Sequence, residues 1–308
     1  MRARFSSPPT NADHQTSARE AASLSASIPL MAMEARRLAA SVSLGLHGRG
    51  RAGPGESFWQ YRALIEGEPQ TRIDWRKSAR YGNALFVREH EWDAARTFHI
   101  FIDQSSSMNY SSGKHPRKID HAMIMGLALA DLLVRSGERV ALFNETPPSA
   151  SRQIIDRLAE ALSRPKKLEY ALPEITALSK NTHVIIIGDM IAESKDIEAP
   201  LSAINHSGAH STLIRILDPA EIDFPFSGQT ELMSAEAALT IDIGDATSFA
   251  PQARARLDAH ERDLKTIVMR HQSHLATHRT DQAMTPSLLA LMTRFSRRDV
   301  SLTGVGHG

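Results

Sequence analysis

Asp103, Ser105 and Ser107 stand at alternate positions directly after the apolar run Phe98-His-Ile-Phe-Ile102. A buried strand ending there delivers one carboxylate and two hydroxyls into a single loop. Oxygen donors of this kind suit a hard divalent cation such as Mg2+, which takes few protein ligands and keeps several waters. The same residue types also cap turn amides and helix starts. The local string alone leaves both roles open. A second carboxylate, Asp189, follows the most apolar run of the chain, His183-Val-Ile-Ile-Ile-Gly188.

The elements that must position these groups alternate from about residue 97 onward. Apolar runs predict strands over 98–103, 139–143, 183–188, 211–217 and 274–279. Between and after them the spacing predicts helices over about 117–136, 151–163, 196–206, 250–273 and 285–295, with a two-strand element in 230–243. Near-continuously apolar strands alternating with helices mean a parallel sheet covered on both faces. The expected fold is α/β, a doubly wound and mainly parallel sheet with an N-terminal β-containing extension. In such sheets sites form beyond the carboxyl ends of the strands, where the strand order reverses. Asp103 and Asp189 both sit at such ends, which places two carboxylates on one rim and favours the cation reading over the capping one.

Upstream of this rhythm, residues 1–27 are rich in Ser, Ala, Pro and Thr without sustained periodicity, and read as a solvated tail. From Ile28 to about Leu46 the apolar spacing allows one or two helical turns. The loop Gly48-Arg-Gly-Arg-Ala-Gly53 formally matches G-x-G-x-x-G. No strand precedes it and Pro54 follows at once, so it lacks the strand–turn–helix context that a dinucleotide fingerprint needs. Strands are expected over 57–64 and 84–92, flanking the basic and aromatic stretch Thr71-Arg-Ile-Asp-Trp-Arg-Lys-Ser-Ala-Arg-Tyr81, read as an anchoring Arg/Asp network. The expected organisation is a disordered tail over 1–30, an N-terminal segment over 31–96, the main domain over 97–297 and a C-terminal tail over 298–308.

Composition narrows the function classes. With 36 basic and 35 acidic residues in 308, overall charge gives no drive toward nucleic acid. Cysteine is absent, which removes disulfides, thiolate zinc sites and cysteine nucleophiles and fits a cytoplasmic protein. No apolar run approaches the ~20 residues of a membrane helix. A secretion signal is not evident at the start either.

Asp103-x-Ser105-x-Ser107 after one strand, with Gly188-Asp189 after a later one, resembles the metal-ion-dependent adhesion site of von Willebrand factor type A domains. Glu56-Ser-Phe58, Arg62, Gly67, Arg72-Ile-Asp-Trp75, Ser78-Ala-Arg80 and Leu85-Phe-Val-Arg-Glu89 add a similarity to the bacterial "domain of unknown function 58" family, as does Asp218-Pro-Ala-Glu221. The resemblance covers roughly residues 45–295. It implies a von Willebrand factor type A-like domain whose rim binds rather than catalyses. Ser105 and Ser107 would be direct ligands of Mg2+ or another divalent cation, with Asp103 and Asp189 as the surrounding carboxylates. A partner's carboxylate would complete the shell. Members of the family often accompany MoxR-type AAA+ ATPases, so an adaptor or chaperone-like role beside such an ATPase is implied. The chain departs from the type A pattern in lacking a clear threonine ligand. Ser163, Arg164, Pro165, Lys166 and Lys167 stand near the expected place, and Thr146 follows an earlier strand. A lysine close to the site would repel a cation and lower the expected affinity.

Two enzymatic readings compete. A metal-dependent hydrolase or phosphotransferase using Asp103 would want a second carboxylate two residues later as acid or base. That position is Ser105. No G-x-x-x-x-G-K-[ST] loop occurs. A serine hydrolase is weaker still, since Gly-x-Ser-x-Gly is missing. His271 and His274 read as ordinary histidines rather than a zinc pair, and Met123 and Met125 as core fillers.

Overall fold

Five strands dominate the computed structural model, which describes residues 11–47, 57–65, 73–80, 85–91, 95–113, 115–164, 171–176, 178–233 and 240–296. In chain order the elements are α1 (Asn11–His47), β1 (Ser57–Ala63), α2 (Trp75–Ser78), β2 (Phe86–Glu91), β3 (Thr97–Ile102), α3 (Lys118–Arg135), β4 (Arg139–Leu142) and α4 (Ile154–Ser163). Next come β5 (Thr182–Gly188), α5 (Ser194–His206), β6 (His210–Leu217), α6 (Pro219–Asp223), β7 (Thr230–Met233) and β8 (Thr240–Ile243). The chain ends with α7 (Ala246–Arg270), β9 (His274–Arg279) and α8 (Met284–Ser296).

The main sheet has the order β4-β3-β5-β6-β9, and every neighbouring pair is parallel. The chain leaves β3 for β4 on one side, then returns to place β5 on the other. The strand order therefore reverses between β3 and β5.

Side chains alternate across the sheet, as the pleat requires. Phe98, Ile100 and Ile102 of β3, with Ile185 and Ile187 of β5, pack with α1, α3, α4 and α8. Val184, Ile186 and Leu213 face Ile197, Leu201 and Ile204 of α5 and Leu264, Ile267 and Val268 of α7. Helices thus cover both faces, and the fold is the doubly wound α/β sheet expected from the sequence.

Two features exceed that expectation. α1 runs far beyond one or two turns. Its Ile28, Met31, Ala32, Ala35, Ala39 and Val42 recur three and four apart and are all buried. Alanines at the contact let the helix approach closely but leave a faint hydrophobic pattern, which is why the sequence understates it. α6 is also unforeseen as a helix, although its capping signature is written in Asp218-Pro-Ala-Glu221.

Contacts divide the chain into residues 1–49 with 96–308, and residues 50–95. Within the second unit β1 and β2 pair antiparallel, and Ile73 bridges Val87. Asp74 caps α2, accepting the Lys77 amide at 2.9 Å, and Ser78 ties the helix to Phe86 by accepting its amide at 2.9 Å. These contacts give part of the Arg72–Trp75 stretch a bracing role; Arg72 itself, and the Gly48–Gly55 loop, lie outside the described residues.

Candidate functional site

The carboxyl ends of β3 and β5 lie side by side, because Ile102 pairs with Ile187 and the Asp103 amide continues the ladder to the Ile187 carbonyl at 2.8 Å. Their next residues, Asp103 and Asp189, are both buried. Gly188 permits this approach. A Cβ there would stand 2.8 Å from Asp103 Cβ and 3.1 Å from its Oδ2.

After Asp103 the chain turns sharply through Ser105 and a short 3-10 helix, Ser106–Asn109. The Ser105 amide donates to Asp103 Oδ1 at 2.8 Å. Ser105 Oγ lies 3.1 Å from Ser107 Oγ, which donates to Asp189 Oδ2 at 2.7 Å. All four sequence-predicted residues are therefore linked in one cluster at the point where strand order reverses. In an octahedral shell with metal–oxygen distances of about 2.1 Å, neighbouring oxygens stand about 3 Å apart. The Ser105–Ser107 and Ser107–Asp189 separations, 3.1 and 2.7 Å, are those of hydrogen-bonded oxygens and are also compatible with neighbouring positions around a small hard cation. Among the described residues no three His, Cys, Asp or Glu side chains form a metal-ligand group. The hydroxyls are what would complete one here.

Electrostatics sets the two carboxylates apart. Burial pushes the Asp103 carboxyl up to about 7, with the Asp189 charge adding to the shift and hydrogen bonds from Ser105 and the charge of Lys118 opposing it. Burial also works against the Asp189 carboxylate. The Lys118 ammonium, the Ser107 hydroxyl and the Ile191 amide outweigh it and hold Asp189 below the usual range. Met190, directly after Asp189, takes a left-handed backbone with φ of 56° and is fixed by His260 Nε2 donating to its carbonyl at 2.8 Å. A bulky non-glycine residue in this region marks stored strain, and such strain gathers at functional sites.

A model of the family described as "Protein of unknown function DUF58" matches residues 60–266. The chain belongs to this family. A solved structure, the conserved hypothetical protein BatB from Bacteroides thetaiotaomicron, is similar at 12% identity, covering 66% of this chain and 100% of that one with a TM-score of 0.39. No curated protein matches.

In this DUF58 chain the rim holds residues that motif reading missed. Lys118, the first residue of α3, is fully buried and bonds Asp189 Oδ2 at 2.9 Å and Glu221 Oε1 at 2.6 Å. Glu221 in turn accepts the Asp218 amide at 2.8 Å, closing the capping box of α6. Asp218 Oδ2 accepts from the Ser112 amide and hydroxyl at 3.0 and 3.2 Å. Arg215, pointing to the α7 side, is buried, and one of its guanidinium nitrogens makes no hydrogen bond among the described residues. Burial lowers its guanidinium, opposed by Glu261, Glu221 and Asp189. A lysine opening a helix was the available signal. A cation at a helix N-terminus is unfavourable unless something nearby compensates it.

Of the residues near the expected threonine position, the described ones, and Thr146, are engaged elsewhere. Thr146 Oγ1 accepts the Leu142 amide at 2.8 Å in the turn after β4. Ser163 donates to the Glu160 carbonyl within α4, and Arg164 pairs with Glu160. Pro165, Lys166 and Lys167 lie outside the described residues.

Proposed function

We propose that this DUF58 chain is a non-catalytic, divalent-metal-dependent protein-interaction module of the von Willebrand factor type A-like kind. Its role is that of a cytoplasmic adaptor or chaperone-like partner of a MoxR-type AAA+ ATPase. The carrying observation is the contiguous array of Ser105, Ser107 and Asp189 oxygens at the strand-order reversal. Ser105 and Ser107 would hold Mg2+ through their hydroxyl oxygens, with Asp189 and Asp103 supplying negative charge beside them. The bound ion supplies a positive centre that a partner's carboxylate can address. Gly188 keeps Asp103 against the cluster, and the Ser105 amide orients its carboxyl. Tyr110 and Ile191 are exposed large side chains close in sequence to this array and give it an apolar surround. Binding of this chemistry needs no acid–base pair. Asp189, the nearest second carboxylate, is engaged by Ser107 and Lys118 rather than free to carry a proton, which disfavours the hydrolase alternative. The absence among the described helices of any that is long and apolar enough to cross a membrane accords with this reading.

Calorimetric titration with Mg2+ tests the proposal. The native chain should give saturable heat and Asp103→Ala should give none. A purified MoxR-type ATPase should co-elute in Mg2+ and separate in chelator. Equal, negligible heats for both proteins, and for a Lys118→Met variant that lacks the ammonium beside Asp189, would remove the metal, and co-elution that ignores chelator would remove the metal dependence of the partner.

A further inference from the structure

Asp189 Oδ2 accepts two hydrogen bonds, from Ser107 at 2.7 Å and from Lys118 at 2.9 Å. A carboxylate oxygen offers two lone-pair directions, so this atom is saturated. A cation that is to share it must displace one donor. The two donors are not equivalent. The Ser107 hydroxyl can rotate its hydrogen away and turn a lone pair inward, whereas an ammonium has donors only. Ser107 can thus yield its place on Asp189 to an ion and become its ligand, whereas Lys118 can only repel a cation beside Asp189 and is driven toward its other contact.

The structure provides a place for it to go. Its second contact, Glu221 Oε1 at 2.6 Å, is the shorter of the two, and Glu221 is fixed by its other oxygen on the Asp218 amide. The ammonium also lies 5.9 Å from the centre of the Tyr110 ring. With its side chain 1% exposed, Lys118 cannot exchange Asp189 for solvent. A lysine in this place needs explanation, since it opens α3, where the helix dipole disfavours a positive charge. The paired carboxylates of Asp189 and Glu221 supply one.

From this arrangement we propose that Lys118 is a tethered competitor that sets the cation affinity of the rim. It holds Asp189 when no divalent ion is present and retreats to Glu221 when one binds. The inference rests on the metal reading of the previous subsection and names the residue that regulates it. Lys118 and Glu221 are positioning residues in this scheme, since neither is a ligand.

Calorimetric Mg2+ titrations of the full chain test it. Lys118→Met should bind Mg2+ about tenfold tighter or more, a change comparable to one unit-charge contact removed from a buried site. Arg117→Gln, which removes a neighbouring positive charge that pairs with Asp120 instead, should stay within about twofold of native. Glu221→Gln keeps an N3 residue able to close the capping box but denies Lys118 its retreat, and should bind about fivefold weaker. Tighter binding by Lys118→Met supports competition, including the case where the native chain gives no heat and the variant does. Equal or weaker binding by Lys118→Met, with a native chain that binds, overturns the competition and leaves the metal reading standing. Silence from every protein overturns both. Should Lys118→Met fail to fold, Glu221→Gln decides alone: unchanged affinity overturns the proposal. A Lys118 side-chain resonance that shifts on Mg2+ addition to the native chain gives an independent readout of the retreat, and an unmoved resonance at saturating Mg2+ denies it.

Discussion

Gly188→Ala isolates what close approach of β3 and β5 contributes to the rim. The added methyl would stand 2.8 Å from Asp103 Cβ, 3.1 Å from Oδ2 and 3.4 Å from Cγ. Ordinary carbon contacts lie near about 3.5–4.0 Å, so the overlap approaches about 0.7 Å. Asp103 Cβ cannot swing away, being one bond from a backbone whose amide is held to Ile187. Overpacking of this kind costs about 1–3 kcal/mol. Loss of glycine's freedom in the unfolded chain returns about 0.4–1 kcal/mol, and the left-handed glycines do not include Gly188. The net expectation is destabilisation of about 1–2 kcal/mol, with Mg2+ heat reduced because the Asp103 carboxyl must turn from the Ser105 amide. Gly126→Ala is the matched control. Its methyl would stand as close, 2.7 Å, but to Ile102 Cδ1, the free end of a side chain that can rotate. Alanine also gains about 0.5–1 kcal/mol over glycine inside a helix, so this variant should fall within about 0.5 kcal/mol of native. Urea unfolding of both proteins decides. A neutral Gly188→Ala, or a Gly126→Ala as costly as it, would refute the view that the rim depends on a glycine at the end of β5.

Removing the Asp189 charge should be worse. Asp189→Asn leaves the buried Lys118 ammonium with Glu221 alone, and breaking a buried pair costs about 3–5 kcal/mol. Adding Lys118→Met to it should recover part of that loss, and an additive double variant in urea unfolding would argue against direct coupling. Acid should destabilise the fold through its histidines. Burial, with help from neighbouring imidazoles and cations, holds His183 at about 3 and His278 at about 4, both below the ordinary 6.5. As pH falls from about 6.5 toward 4, each unfolded histidine binds a proton that its folded counterpart refuses, and stability drops by about 1.4 kcal/mol per pH unit for each. Asp103, raised to about 7, acts with the opposite sign, because its folded carboxyl keeps a proton that the unfolded one releases above about pH 4. Two histidines against one carboxyl leave a net fall with acid. His278→Gln should flatten the slope by about 0.7 proton, or about 0.9 kcal/mol per pH unit averaged between pH 7 and pH 5, in unfolding measured at those two values; an unchanged slope would count against a neutral buried His278.

The sheet was legible because its strands are buried on both faces. Val184, Ile185, Ile186 and Ile187 all lie in the core, so β5 announces itself as an unbroken apolar run and needs no alternation to be recognised. The helices behind it carry one-sided patterns, and Gly137, with φ of 86°, marks the end of α3 as a glycine after a helix should. α1 was less visible for a physical reason. Its buried face uses Ala32, Ala35 and Ala39, and alanine signals helix by propensity while carrying little hydrophobic contrast.

The site divides along a similar line. Asp103, Ser105, Ser107 and Asp189 could be placed together from sequence because strand ends in a doubly wound sheet share a rim, so topology does the work of contact. Lys118 and Glu221 have no such rule. Each stands at a helix start, one on α3 and one on α6, and their meeting depends on how those helices enter the rim rather than on any spacing along the chain. A helix-opening lysine with no capping side chain before it at Arg117 is a charge in the wrong place by local rules. Local rules that fail without visible compensation point to a partner elsewhere in the fold. Here the partner is the carboxylate that a divalent ion would also seek. The residue least explained by its own helix is thus the one on which the proposed competition for the rim rests.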